Sequence, residues 1–191
     1  MKKRKEKNVQ PLRTLKEIED MKWALGRYCS ERDRFMFTFG INTGLRISDI
    51  VSLKVKDVRN RTHIVLKEKK TRKTKRQRKI NRIKIPPKLQ EEIEEYTRNM
   101  DDDNYLFPSR KGGHISPTQA YRVLQKAAAV LGRDDIGTHT MRKTFGYFYY
   151  RKTKDLVFLQ EIFNHSAPSI TKRYIGLIQD EIDESLEDFF L

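Results

Sequence analysis

The sequence predicts a mostly α fold with a small antiparallel β-sheet, an α+β arrangement within one catalytic or binding domain. Three observations carry that expectation. Apolar residues recur at helical spacing through most of the chain. The period changes once, at the β-branched runs "THIVL" (62–66) and "INRIKIP" (80–86). Ser, Thr and Pro stand where helices would begin. At 191 residues the chain can bury a core without staples, and no internal repeat is evident.

Residues 1–13 are polar and basic and read as an N-terminal arm. "TLKE" then places Thr14 three residues before Glu17, a capping box opening a helix through Met21, Trp23 and Leu25. Ser30 and Asp33 repeat the idea in "SERD", ahead of the apolar run "FMFTFGI". Gly44 marks a turn in "INTGLRISDIVSL". Beyond it Ile47, Ile50, Val51 and Leu53 return to helical spacing, so Arg46 stands at a helix start. The two β-branched runs form a hairpin around "KEKKTRKTKRQRK", where nine of thirteen residues are Lys or Arg. "PKLQEEIEEYTRNM" reads as an acidic surface helix and "DDDNYLFPSRKGGH" as a loop turned by Pro108, Gly112 and Gly113. Ser116 as cap and Pro117 at the first helical position launch "TQAYRVLQKAAAVLG", with Arg122 and Lys126 four apart on one face. Residues 181–191 are acidic, with Ile182, Leu186, Phe189 and Phe190 forming a helix or tail that seeks an apolar groove.

Charge sets the partner class. Lys and Arg number 41 against 26 Asp and Glu, a net +15 that favours polyanions, nucleic acid first. A structural nucleic-acid-binding protein would share that balance, so charge alone does not imply chemistry. The single cysteine, Cys29, rules out an internal disulfide and reads as a packing residue. No His/Cys cluster has zinc spacing, and a reducing cytoplasm is the expected location. The basic start "MKKRKEKNVQ" is not followed by an apolar stretch, and no run reaches transmembrane length, so no membrane partner is expected.

Breaking a phosphodiester requires stabilised non-bridging oxygens, an in-line nucleophile and a proton for the leaving oxygen. The carboxylates gather mainly in a surface helix and the tail, whereas basic residues stand at turns and helix starts. That pattern points to phosphoryl transfer without a metal or cofactor, with arginines carrying the charge. In "THTMRKTF", His139 and Arg142 are three apart and share a helical face. Alone, this pair is equally that of a capped helix with two solvated polar residues. His165, in the "NHS" turn, precedes Tyr174 by nine residues, with Lys172 and Arg173 beside the tyrosine.

Four pieces in order, "TGLRISDIVSL" with Arg46, the "KEKKTRKTK" hairpin, "HTMR" with His139 and Arg142, and "FNHS" followed by "KRYIG", resemble the catalytic domain of the tyrosine recombinases, or phage integrases, over roughly residues 14–180. The resemblance implies a site-specific recombinase that cuts and rejoins double-stranded DNA through a 3′-phosphotyrosyl intermediate, independent of metal and ATP. It implies that Arg46 and Arg142 grip the scissile phosphate, Tyr174 attacks phosphorus, and His139 acts as or supports its general base. His165 would hydrogen-bond the phosphate or help proton transfer. Lys70 would be the general acid, a role for which Lys69, Lys73 and Lys75 are close contenders in the hairpin. DNA contacts are expected from Lys67, Lys69, Arg72, Lys73, Lys75, Arg76, Arg122, Lys126 and Lys143. Asp49, one turn after Arg46, either orients an arginine or is a plain surface aspartate.

Three departures stand out. Lys143 replaces the His that often follows the second arginine, "FNHS" replaces "LGHS", and the chain begins almost directly at the catalytic domain. Many family members carry a separate DNA-clamping domain there. The chain is therefore expected to be a minimal recombinase or a trimmed fragment, with a weak, salt-dependent grip on DNA. A homo-oligomer, a tetramer on DNA, is the expected assembly, with the 181–191 tail docking on a neighbouring protomer or on its own domain. The rival readings are a type IB-like topoisomerase and a non-catalytic DNA-binding accessory protein.

Overall fold

Thr14 caps the first helix through the expected box. In the computed structural model, which describes residues 9–67 and 80–190, its hydroxyl accepts from the Glu17 amide (3.1 Å) while Glu17 accepts from the Thr14 amide (2.8 Å). The helix α1 (Leu15–Tyr28) packs on α2 (Glu31–Thr43), which Ser30 caps by accepting from the Asp33 amide. Phe35, Met36, Phe37, Phe39 and Gly40 of α2 are all buried. A helix apolar all round is a core helix, and α2 is the axis of the molecule.

Gly44 ends α2 in the left-handed region (φ 64°), where the β-carbon position is occupied by the Phe145 ring. Only glycine satisfies both constraints. The short helix α3 (Ile47–Val51) starts at once with Arg46 as its N-cap. A 3₁₀ turn at Val55–Asp57 leads to the hairpin. There β1 (His63–Lys67) pairs antiparallel with β2 (Ile80–Lys84), with Ile64 opposite Ile83 and Val65 opposite Arg82. Alternation buries Ile64 and exposes Val65, and a two-stranded sheet of this size relies on such anchoring. Next come α4 (Pro87–Thr97) and α5 (Pro117–Val130), the latter capped by Ser116 and buried through Ala120, Leu124, Ala127 and Ala128.

The C-terminal third contains α6 (Thr138–Thr153), α7 (Leu156–Phe163), α8 (Pro168–Tyr174) and α9 (Leu177–Leu186). Met141 places the start of α6 in the main core. Its later half joins a second, smaller core of Tyr147, Leu159, Phe163, Ile175 and Leu177. Gly146 makes the junction possible, because a β-carbon there would lie 2.6 Å from Ile175 Cγ2 and 2.8 Å from Phe163 Cε2. Past Ile178 the apolar residues Ile182, Leu186, Phe189 and Phe190 stay exposed, Phe190 to 96%. Among the described residues no helix is long and apolar enough to cross a membrane.

Candidate active site

Helix α6 carries His139 and Arg142 on one face. Arg142 is only 6% exposed, and its guanidinium donates to the Gly44 carbonyl and to the Phe163 carbonyl (3.2 Å), with its central carbon 4.2 Å from the Phe163 ring centroid. It therefore ties the end of α2 to the end of α7. Burial pushes its pKa down to about 10, opposed by the neighbouring Tyr174 oxygen and by the Asp49 carboxylate, and it remains a cation at neutral pH. Arg46 is exposed at the head of α3, and its charge reaches His139, His165 and Tyr174.

Tyr174 is the last residue of α8. Its hydroxyl lies 3.0 Å from His139 Nδ1, within reach of the Arg142 charge. The ring meets the edges or faces of His165, Phe163 and His139 at centroid distances of 5.1, 5.5 and 6.2 Å. Burial raises the phenol above its ordinary pKa, while Arg142 and Arg46 pull it back. For His139, burial and the charges of Lys143, Arg142 and Arg46 all act downward, keeping the imidazole neutral at neutral pH. With its proton on Nε2, Nδ1 is an acceptor aimed at the phenol.

His165 follows the left-handed cap of α7 at Asn164 (φ 54°). Its amide donates to the Gln160 carbonyl (3.0 Å) and its carbonyl accepts from Gln160 Nε2 (3.1 Å). Its Nδ1 pairs with the hydroxyl of Thr171, a fully buried residue, at 3.0 Å, leaving Nε2 for a substrate. Burial first, then Arg142 and Arg46, lower its pKa.

The structure thus brings Arg46, His139, Arg142, His165 and Tyr174 together around one point. Arg122 lies exposed on α5, and Lys126, also exposed, donates to the Tyr28 carbonyl (2.5 Å). Lys143 turns inward, with its amine on the Val9 carbonyl (2.6 Å) and 5.3 Å from the Tyr174 ring centroid. Lys69, Lys70, Arg72, Lys73, Lys75 and Arg76, and the side chain of Lys67, lie outside the described residues. Cys29 is half-buried with its thiol pKa raised by burial, as suits packing. Among the described residues no group of three or more His, Cys, Asp or Glu is placed to hold a metal. Sequence reasoning missed Gln160, Thr171 and the Gly44 and Phe163 carbonyls. Only Thr171, one helical turn before Tyr174, had a local signal.

A helical domain with one hairpin and this Arg, His, Arg, His, Tyr cluster defines the class of tyrosine-type site-specific DNA recombinases. The chain belongs to the phage integrase family, whose model matches residues 14–180. It is 51% identical over 173 residues to a probable integrase/recombinase of Bacillus subtilis, YoeC, covering 90% of this chain and 92% of that one. Tyrosine recombinase XerA of Pyrococcus furiosus is 28% identical over 160 residues, covering 82% of this chain and 54% of XerA. The chain spans nearly all of the first relative and about half of the second. A crystal structure of XerA recombinase superposes with a TM-score of 0.69 at 19% identity, over 95% of this chain and 67% of that one. XerH bound to palindromic difH substrate in a post-cleavage complex gives 0.68 at 20% identity, over 95% and 54%. The topoisomerase and accessory-protein readings are not favoured, since these relatives are integrases and recombinases.

Proposed function

We propose that Tyr174 attacks the scissile phosphate of double-stranded DNA, forming a 3′-phosphotyrosyl bond and releasing a 5′-hydroxyl, and that the strand is then rejoined to a second 5′-hydroxyl. The observation that carries this reading is the Tyr174 hydroxyl, 3.0 Å from the neutral His139 imidazole and under the influence of the Arg142 charge. As the phosphorus–oxygen bond forms, the phenol's proton passes to His139 Nδ1. Arg46 and Arg142 neutralise the charge on the non-bridging oxygens, and His165 Nε2 adds a hydrogen bond to one of them. Lys70 gives its proton to the departing 5′-oxygen. The covalent bond keeps the energy of the broken phosphodiester, so the reverse attack on it needs no ATP.

Exchange between duplexes requires several protomers on DNA, and the exposed Ile182, Leu186, Phe189 and Phe190 suit the tail for docking on a neighbour. The first seven residues and the hairpin segment 67–79 supply salt-dependent grip, with Arg122 adding a contact. The test is to incubate wild type and Tyr174→Phe with fragmented genomic DNA, quench in SDS and sequence what stays attached to protein. Wild type alone is expected to hold DNA through a 3′ end at a recurring sequence. Scattered attachment sites would indicate relaxation chemistry, and attachment by the variant would sink the assignment of Tyr174.

A further inference from the structure

Residues 9–13 lie along the back of the active site. The Gln10 amide donates to the Asp135 carbonyl (2.9 Å), and the Leu12 amide donates to the Thr144 hydroxyl on α6 (2.9 Å). Leu12 is fully buried. Arg13 Nε donates to Asp180 on α9 (2.8 Å). Pro11 and Arg13 close over Gly176, two residues past Tyr174, where a β-carbon would lie 3.3 Å from Pro11 and 3.1 Å from Arg13 Nη2. The Val9 carbonyl receives the Lys143 amine, which stands over the Tyr174 ring. The strap therefore reaches the nucleophile from two directions, over its ring and behind its chain.

Nothing in the cleavage chemistry uses these contacts, yet they bear on its most demanding geometry. Tyr174 ends a seven-residue helix whose N-cap, Ala167, offers no capping side chain, so its helix does little to fix its place. A lysine left free would sample many rotamers. Here the Val9 carbonyl holds the ammonium in one of them, where it attracts the π-face of the phenol. We propose that Lys143 is a positioning residue for Tyr174 and that the 9–13 strap, through Val9 and Arg13, is what locks the nucleophile against His139 and Arg142. This rests on Tyr174 being the nucleophile.

The experiment compares wild type, Lys143→Met, Lys143→Arg and Arg13→Ala by two readouts. The first needs no activity: ring resonances of labelled Tyr174 in the DNA-free protein. These are expected to shift and broaden in Lys143→Met and Arg13→Ala, and to return towards wild type in Lys143→Arg, which keeps a cation over the ring. The second separates binding from chemistry on a site-bearing duplex. At saturating DNA, adduct formation by Lys143→Met should fall by about tenfold, with affinity within about twofold and the melting temperature kept, as expected for loss of one cation–π contact. Unmoved Tyr174 resonances in Lys143→Met would overturn the proposal. So would a variant that loses affinity while keeping its rate at saturation, which would make Lys143 a DNA contact. If wild type forms no adduct, the nucleophile assignment fails by that readout, while the resonances still decide whether the strap positions the ring.

Discussion

The main body and the C-terminal third are built differently, and the candidate active site lies across their border. The body is centred on a helix buried through residues 35–40, with side-chain caps at Thr14, Ser30 and Ser116 and an aromatic cluster in which Phe35 stacks on Tyr96 at 4.2 Å. The C-terminal third has a small core under half-buried aromatics, and Ala167 and Gly176 stand at the N-caps of α8 and α9 with no side chain able to cap. Arg46 belongs to the first region, and His165 and Tyr174 to the second. Sparse burial lowers local stability, so Tyr174, the proposed nucleophile, is expected to ride on the less stable part of the molecule. Arg142 joins the two by spending its donors on one carbonyl from each.

The largest effect should come from breaking that join. Arg142→Lys keeps a charge but cannot reach both carbonyls, so adduct formation should drop by about 10²–10³-fold, the usual loss for a transition-state donor. An adduct rate equal to wild type would dismiss Arg142 as clamp. Phe163→Ala should cost about 3–5 kcal/mol by opening the smaller core. Hydrogen exchange should then rise through α7 and α8 while α1 and α2 stay protected, and a uniform rise would erase the distinction between the regions. Gly146→Ala forces a methyl into the space of Ile175 and Phe163 and should cost about 1–3 kcal/mol. Its signature is a slower adduct rate at saturating DNA with affinity kept.

Acidification tests the same border. His139 and His165 are both held below the ordinary 6.5 by burial and the arginines, so the unfolded chain binds protons that the folded one refuses. Stability should therefore fall as pH drops through 6.5, and the fall should level off below the folded-state pKa values. Urea midpoints between pH 7.5 and 5 check this, and His139→Gln should flatten the profile. The smallest effect on the folded monomer belongs to Phe189→Ala with Phe190→Ala, within about 0.5 kcal/mol because both rings are exposed. The same pair should weaken association of protomers on DNA, measured by mobility shift, if the tail docks on a neighbour.

Much of the fold was legible because its signals are local. A capping hydroxyl needs only an amide three residues on, which is why Thr14, Ser30 and Ser116 mark helix starts correctly. The hairpin follows from β-branched runs, and the two basic pieces of α6 follow from a spacing of three. The partners of those residues were another matter. Lys143 and Lys126 read as basic surface, but their amines end on the carbonyls of Val9 and Tyr28, 134 and 98 positions away. Thr171 was unremarked because its partner His165 sits across a turn.

By itself the sequence determined the helical architecture, the hairpin and the basic character, since propensity, capping and charge act over a few residues, and its motif order suggested five candidate residues for a phosphate. Tertiary structure alone decided that Arg142 would be buried between two carbonyls, that His139 would face the Tyr174 hydroxyl, and that residues 9–13 would brace the site. Each of those depends on which helix faces are forced together, and that is settled by packing across the whole chain.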